Sequence, residues 1–278
     1  MPIEERVPPG VDAKRPSIAR VYDFFLGGKD NFAVDRQVAE AAVRMDPEGA
    51  DAARVNRTFL RRVVRHLAGE AGVDQFVDIG SGLPTQGNVH EVAGEVSPGA
   101  KVIYVDNDEM ALVHGRALLS APRTRIVEGD LRSPEEILRH PDVRALIDFE
   151  RPVAVLLFAI LHHLHDEEGP GGIVRRLVAE LPPGSYVAIS HFADPGQAHP
   201  RVSAHVTAFE KMFNERLGTG RWRTHEEILA FFDGLELLDP GLVPMPEWRP
   251  GPGGVERCST ITHYAFLGGV ARKPAPGA

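Results

Sequence analysis

The chain has 278 residues, of which 43% are hydrophobic and 25% charged, enough to bury a sizeable core in one large domain or in one domain with an elaboration. Its formal net charge of −8 repels phosphate backbones and argues against nucleic acid as a partner, and no apolar stretch approaches the roughly 18 to 20 residues that span a bilayer. A single cysteine, Cys258, excludes an internal disulfide and makes a poor case for structural zinc, and the opening MPIEERVPPG lacks the basic-then-apolar pattern of a secretion signal, so a cytoplasmic location is expected.

About seventy residues precede the first strand-like run. Pro16 and Ser17 can start a helix that runs IARVYDFFLGG, and Gly27-Gly28 should end it. A second helix from about Phe32 to Arg44 and a third from about Ala50 to Ala68 follow, with Arg61, Arg62 and Arg65 read as the wet face of the third. Residues 1–70 are read as a helical cap; simple cover of a sheet edge fits the pattern equally.

From residue 71 strands and helices alternate. Runs rich in Val, Ile and Leu appear at 75–79, 101–106, 124–128, 152–158 and 185–190, with helical patterns at about 86–96, 108–119, 133–148 and 167–181 between them. Such near-continuous apolar strands imply a parallel sheet covered on both faces, hence a doubly wound α/β fold over residues 71–270. A long helix (200–217) and a short one (224–232) come next, then LELL (235–238) and THYAFLG (262–268), expected as an antiparallel pair completing a seven-stranded sheet. The tail from 271 to 278, ARKPAPGA, is expected to fray.

The stretch FVDIGSGLPT is the first candidate for chemistry. An apolar strand ends on Asp78 and runs into Gly80-Ser81-Gly82, where missing Cβ atoms let a ligand approach the backbone. The third glycine of a dinucleotide fingerprint is absent and Pro84 stands near the helix start, so a pyrophosphate cradle is weakly supported. Asp106 ends the second strand, where a carboxylate can accept both hydroxyls of a ribose, and Asp130 follows the third, placed for an adenine amino group. Three carboxylates at successive strand ends suit a ligand with ribose, adenine and a cationic part, favouring a nucleoside sulfonium over NAD. Taken singly, an acid such as Asp108 or Asp130 also reads as a helix N-cap.

These residues carry a resemblance. VDIGSG, YVDND, EGDL and LLFAILHHLHD look like a class I S-adenosylmethionine-dependent methyltransferase with its Rossmann-like fold. ARVYDFFLGGKDNFAVDR, VDIGSGLPTQGNVHEVA and FFDGLELLDPGLV are similar to a narrower actinobacterial methyltransferase family long catalogued as a domain of unknown function, over about residues 14 to 268. The resemblance implies S-adenosyl-L-methionine as cofactor and S-adenosyl-L-homocysteine as product. It implies Gly80, Ser81 and Gly82 under the amino-acid part, Asp78 near its ammonium, and Asp106 with Asn107 at the ribose. Asp130 and Leu131 would frame the adenine, and Phe158 and Ala159 would lie beside the methyl donor. Tyr22, Gly28, Lys29 and Asn31 are expected to close over the cofactor, although Gly-Gly-Lys-Asp-Asn is also good chemistry for a plain helix stop.

Methyl transfer from a sulfonium is an in-line displacement that needs alignment and dryness rather than a metal or a covalent nucleophile. If the acceptor must lose a proton, His162 and His191 are the first-ranked bases, since each closely follows a strand, with His163 and His165 nearby. Pocket shaping or helix capping is an equal alternative for all four. His163 to Asp166 lacks a partner at helical i+4 spacing, so no metal is expected. The acceptor is expected to be small and partly apolar. Phe24, Phe25, Phe32, Phe209, Met212 and Phe213 either line its pocket or pack between cap and sheet, and Trp248-Arg249 is placed to reach it. Two other functions remain open: a protein that binds the cofactor as a sensor or scaffold without transfer, and a nicotinamide-dependent oxidoreductase, which would want the third glycine and a Lys, Tyr or Ser catalytic set.

Overall fold

The computed structural model describes residues 7–47, 50–84, 87–118 and 121–275. Its centre is a sheet in which β1 (Gln75–Ile79) pairs in parallel with β2 (Lys101–Asp106) and β4 (Ala154–Phe158). Beyond β2 lies β3 (Thr124–Glu128), and beyond β4 lies β5 (Tyr186–Phe192), both parallel. An antiparallel strand, β8 (Phe266–Arg272), adds to β5 over seven residue pairs and carries β6 (Glu236–Leu237) and β7 (Val243–Pro244), also antiparallel. The order is β3-β2-β1-β4-β5-β8-β6, with β7 paired to β8 off that path, so chain order reverses between β1 and β4. At such a reversal the flanking connections leave on opposite faces and open a crevice at the carboxyl ends.

Alternation along the strands feeds two cores. Val77, Ile79, Ile103, Val105, Val155 and Leu157 face one layer, with the helices α6 (Pro134–Arg139), α7 (Pro141–Leu146) and α8 (Pro170–Ala179). Phe76, Val102, Tyr104, Ala154, Leu156 and Phe158 face the other, where α3 (Ala50–Gly69) supplies Phe59, Val63 and Leu67 and α4 (Val89–Val96) supplies Val89 and Val92. Gly268 in β8 is required by this packing, because a Cβ there would stand 2.5 Å from the Phe59 ring. Among the described residues no helix is long and apolar enough to cross a membrane.

Ahead of α3 come α1 (Ile18–Phe25) and α2 (Ala33–Met45). They are tied by a buried hub: Asp35 accepts from Ser17 N (2.9 Å), Phe32 N (2.8 Å) and Arg20 Nε (2.7 Å). Ser17 Oγ also donates to Asp108 Oδ2, which joins the start of α1 to the loop after β2.

Several elements differ from expectation. The helix expected over 133–148 is two, because Pro141 has no N–H to continue the ladder past His140. The strand expected at 262–268 begins as α11 (Thr260–Ala265), whose first turn Ser259 Oγ caps by accepting from Thr262 N at 3.0 Å. The chain becomes β8 only at Phe266 and stays paired to Arg272. Lys273 is tied as well, since its N–H donates to Ser185 O at 2.7 Å and its Nζ to the carbonyls of Val178 (2.8 Å) and Leu181 (2.6 Å). The expected fraying at 271 therefore does not occur there, and residues 276–278 lie outside the described ones. Arg62 is not a wet-face residue, because its Nε donates to Trp248 O at 3.0 Å and its Nη2 to Met245 O at 2.5 Å.

Candidate functional site

A cavity of about 390 Å³ lies beyond the carboxyl ends of β1, β2, β4 and β5, bounded by α1, α3, α11 and α9 (Pro200–Leu217). One end is polar. Asp78, Gly80, Ser81, Gly82, Asp106, Asn107 and Asp108 line it from the sheet, and Ser17, Tyr22, Asn56 and Arg57 from the helices.

The bend after β1 is built around Asp106. Gly80 and Gly82 take φ of +75° and +66°, and a Cβ on Gly80 would fall 2.7 Å from the Ile160 side chain. Gly80 N and Ser81 N both donate to Val105 O, at 2.8 and 3.2 Å, and Gly82 N donates to Asp106 Oδ2 at 2.7 Å. All three N–H groups are consumed by the protein, so this bend cannot cradle a phosphate as a nest of free donors does. Asp106 Oδ1 accepts from Asp108 N at 2.9 Å, which spreads its carboxyl across the mouth of the bend. Asp108 in turn caps α5 (Glu109–Leu118), accepting from Met110 N at 2.9 Å, so its cap role and its place on the cavity coexist.

Two buried carboxyls in one wall carry an electrostatic cost. Burial pushes Asp78 up to about 7; the Arg57 charge opposes the shift and Asp106 adds to it. Burial also raises Asp106, against the pull of the N–H donors of Asp108 and Gly82. A cation arriving beside Asp78 would reverse that cost. Ser81 Oγ is buried with no hydrogen-bond partner among the described atoms.

β4 ends on a strained residue. Ala159 has φ of +53°, rare for a residue with a Cβ, and its N–H is shared between Ser190 O (3.1 Å) and Ser190 Oγ (2.9 Å). Ser190 Oγ donates to Asn56 Oδ1 at 2.7 Å, Asn56 Nδ2 donates to Tyr22 Oη at 3.0 Å, and Tyr22 Oη donates to Ala53 O at 3.2 Å. This chain runs from the sheet through α3 to α1 along the cavity wall.

The other end is apolar and aromatic. Phe25, Phe192, Phe209, Phe213, Trp222 and Phe266 form much of it. Phe192 stacks on Trp222 (4.8 Å between centroids) and on Phe266 (4.3 Å), and Phe213 meets Trp222 edge-on at 5.5 Å. Polar groups are set into this end as well, among them Asp46, at the end of α2, and His205 on α9. His205 Nε2 is buried 4.0 Å from Asp46 Oδ2 and has no hydrogen-bond partner among the described residues.

The histidines are constrained by their neighbours. His162 lines the cavity, but its Nδ1 accepts from Phe192 N at 3.3 Å, so the neutral ring carries its proton on Nε2 and presents a donor there. Burial holds it well below the usual imidazole range. His191 does not line the cavity. It donates through Nδ1 to Phe192 O at 2.6 Å and accepts through Nε2 from Arg223 at 3.1 Å, and burial lowers it to about 3. With both nitrogens engaged, His191 is a structural residue rather than the base expected. His163 lines the cavity, its Nδ1 buried and without a partner among the described residues, and burial lowers the ring to about 3.

Of the expected cofactor residues, Tyr22, Asp78, Gly80, Ser81, Gly82, Asp106, Asn107, Phe158 and Ala159 meet around the cavity. Asp130 and Leu131 do not line it; Asp130 pairs with Arg132 (3.1 Å) and reaches the cavity only through Asn107, whose Nδ2 stands 3.4 Å away. Gly28, Lys29 and Asn31 do not line it either. They wrap a turn around the buried Asp23, which accepts from Asp30 N (3.0 Å) and Asn31 Nδ2 (2.9 Å), and Lys29 is exposed. At Gly28 a Cβ would overlap the Asp23 carboxyl, so the helix-stop reading describes this segment. Trp248 is wholly buried against Phe59, away from the lining, and Arg249 turns to Asp239 O and His66. Sequence reasoning missed Ser17, Asn56, Arg57, Asp46 and His205. Each is an ordinary helix-terminus or helix-face residue by pattern, and only the tertiary fold aims it inward.

The family model described as S-adenosyl methyltransferase matches residues 4–274. A DUF574 family protein from Streptomyces avermitilis MA-4680 is 40% identical, with 95% of this chain and 99% of that chain covered at a TM-score of 0.88. A candidate methyltransferase from Thermobifida fusca YX is 45% identical over 96% of this chain and 98% of that one, at a TM-score of 0.86. The plantazolicin methyltransferase BamL, solved with S-adenosylhomocysteine, shares the fold at a TM-score of 0.55 and 12% identity, over 92% of this chain and 96% of that one. No curated protein matches the chain.

Proposed function

This chain belongs to the S-adenosyl methyltransferase family, S-adenosylmethionine-dependent enzymes of class I fold, and we propose that it methylates a small, largely apolar molecule held at the aromatic end of the cavity. The observation that carries the reading is the two-ended cavity: a carboxyl-lined end at the strand-order reversal, continuous with an aromatic one.

The residues of the polar end fit the cofactor. Asp106 keeps a second lone pair on each oxygen after accepting from Gly82 and Asp108, which suits two ribose hydroxyls. Asp78 has Arg57 as its main counter-charge and would gain from an ammonium group, and the orphaned Ser81 Oγ beside it has hydrogen bonds to make. When bound, the cofactor supplies an activated methyl group. The chain's part is to hold donor and acceptor in line and to exclude water, for which the apolar wall of Phe158, Phe192 and Phe266 is suited. We read residues 1–70 as a cap whose α1 and α3 close the polar end through Tyr22, Asn56 and Arg57.

His162 serves this chemistry as a donor through Nε2 rather than as a base. The sensor reading would be favoured by a cavity that ends at the methyl group; the aromatic end supports transfer instead.

The test is calorimetric titration with S-adenosylmethionine and S-adenosylhomocysteine, with NAD as control, on the wild type and on Asp106→Ala. Micromolar binding of both, absent for NAD and weakened at least tenfold in a variant that keeps its circular dichroism and melting transition, is expected. Absence of binding by the folded wild type would sink the assignment of this cavity.

A further inference from the structure

Resting on that reading of the cavity, the turn after β4 bears on what the acceptor presents to the protein. We propose that the acceptor is an uncharged ring compound with a carbonyl oxygen, that this oxygen accepts a hydrogen bond from His162 Nε2, and that Arg223 is the positioning residue that holds His162 in place.

The donor is set by geometry. His162 is 1% exposed and lines the cavity, with Phe192, Trp222 and Phe266 around it at 4.7, 5.5 and 6.2 Å between centroids. Phe192 N lies 3.3 Å from its Nδ1. A backbone N–H only donates, so Nδ1 keeps its lone pair and the ring carries its proton on Nε2. Nε2 has no partner among the described residues and, unlike His163 Nδ1, is not sealed from a water-sized group. An imidazole N–H so placed calls for a lone pair in the cavity.

Its position is equally constrained. Arg223, 3% exposed, donates through Nη1 to Leu161 O (3.2 Å) and His191 Nε2 (3.1 Å), and through Nη2 to Leu164 O (2.9 Å) and Asp166 Oδ1 (2.8 Å). One guanidinium thus clamps both sides of the short helical turn Leu161–His163. His191 in turn donates to Phe192 O at 2.6 Å, in the residue whose N–H orients His162. Arg221 N closes the arrangement by donating to His162 O at 2.8 Å. The neighbouring His163 ring, 4.4 Å away between centroids, has no donor at Nδ1 among the described residues to decide which nitrogen holds its proton.

The chemistry of the partner follows. An N–H or ammonium group would set donor against donor. A hydroxyl oxygen can accept, but its own proton would need a second acceptor, which Phe192, Trp222 and Phe266 do not supply. An anion would lose its water to the same walls. A carbonyl oxygen has only lone pairs to satisfy, and a flat ring attached to it packs against these side chains.

The experiment titrates 1-indanone, indane and indole into protein saturated with S-adenosylhomocysteine. These uncharged bicyclic molecules of similar size present a carbonyl oxygen, no polar group and an N–H respectively. Affinities are read by NMR together with the imidazole shifts of ¹⁵N-labelled histidine. 1-Indanone is expected to bind about fivefold more tightly than either of the others, the effect of one neutral hydrogen bond, and to move the His162 Nε2 proton downfield where indane does not. In His162→Phe the preference should vanish while indane still binds. In Arg223→Lys, which keeps the charge and loses the fork, the preference should fall below about twofold with indane affinity unchanged. Equal binding of the three probes, no binding of 1-indanone, a preference retained in His162→Phe, or a His162 Nε2 proton that ignores 1-indanone would each overturn the inference. The shift is read on the wild type, so it decides the matter even if His162→Phe does not fold. A preference retained in Arg223→Lys would overturn the role of Arg223. Failure of S-adenosylhomocysteine to bind would count against the cofactor assignment instead, and the same probes on the ligand-free protein would then decide the acceptor inference.

Discussion

Replacing Asp78 with asparagine separates what a buried carboxyl costs the fold from what it offers a ligand. In the free protein burial pushes Asp78 from 3.8 up to about 7, even with Arg57 nearby. An acid raised in this direction stabilises the folded state while protonated. Its contribution is complete below about pH 4 and is lost as pH rises through about 7. The gap corresponds to about 4 kcal/mol at 25 °C. Asparagine resembles the protonated acid at every pH. Without ligand, Asp78→Asn should therefore be the more stable protein, by a margin that grows about 1.4 kcal/mol per pH unit between pH 5 and 7 and levels off above pH 8. Urea denaturation followed by circular dichroism at half-unit steps from pH 5 to 8.5 reads this directly.

Ligand affinity should move the opposite way. If S-adenosylhomocysteine binds only the ionised Asp78, the wild-type Kd should fall about tenfold per pH unit from 5.5 to 6.5 and flatten above about 7.5. The variant should bind weakly with no such dependence. A stability difference independent of pH would refute the buried-carboxyl argument. A wild-type affinity flat between pH 5.5 and 7 would refute the pairing of Asp78 with a cationic group.

His162, His163 and His191, all lowered by burial, should stay neutral from pH 5 to 8, with His162 as the Nε2–H and His191 as the Nδ1–H tautomer; ¹⁵N shifts of the imidazoles that titrate in this range would contradict this. Asn56→Ala removes the acceptor of the Ser190 hydroxyl and the donor to Tyr22 Oη at once and should cost about 1–3 kcal/mol in urea unfolding; a loss below a few tenths would mean that the chain from Ala159 to Ala53 contributes little. Gly80→Ala should destabilise more than Gly82→Ala, since both force a side chain to positive φ, at about 1–2 kcal/mol, but only at Gly80 does the new Cβ meet Ile160. Equal melting temperatures for the two would count against that overlap. Lys29→Ala, exposed and off the cavity, should leave S-adenosylhomocysteine affinity within twofold by calorimetry.

The first three strands are legible to the residue because each is a short, wholly local Val/Ile run bounded by polar residues. The segment THYAFLG misleads for the same reason that strands are usually easy to see. Its threonine, tyrosine and phenylalanine favour a strand, yet Ser259 caps a turn of helix and α11 packs beside α9 before the chain enters the sheet. Pro141 marks the break between α6 and α7 plainly, and a periodic reading of 133–148 passes over it.

The two ends of the cavity differ in the same way. Asp78, the glycine bend and Asp106 sit at strand ends, where local sequence decides both the turn and the direction a side chain leaves the sheet. The aromatic end draws on α1, α2, α9, α11, β5 and β8, and its polar pair, Asp46 and His205, is separated by more than half the chain. No spacing rule joins such residues. Nor does type help: Phe25, Phe209 and Phe213 line the cavity while Phe24, Phe32 and Met212, equal candidates by pattern, do not. What draws attention to the pair is a property of the folded state alone, an imidazole nitrogen that is buried and, among the described residues, has nothing to bond. A buried polar group without a partner calls for an explanation of its own, and neither its burial nor the missing partner can be read before the elements that meet there are known.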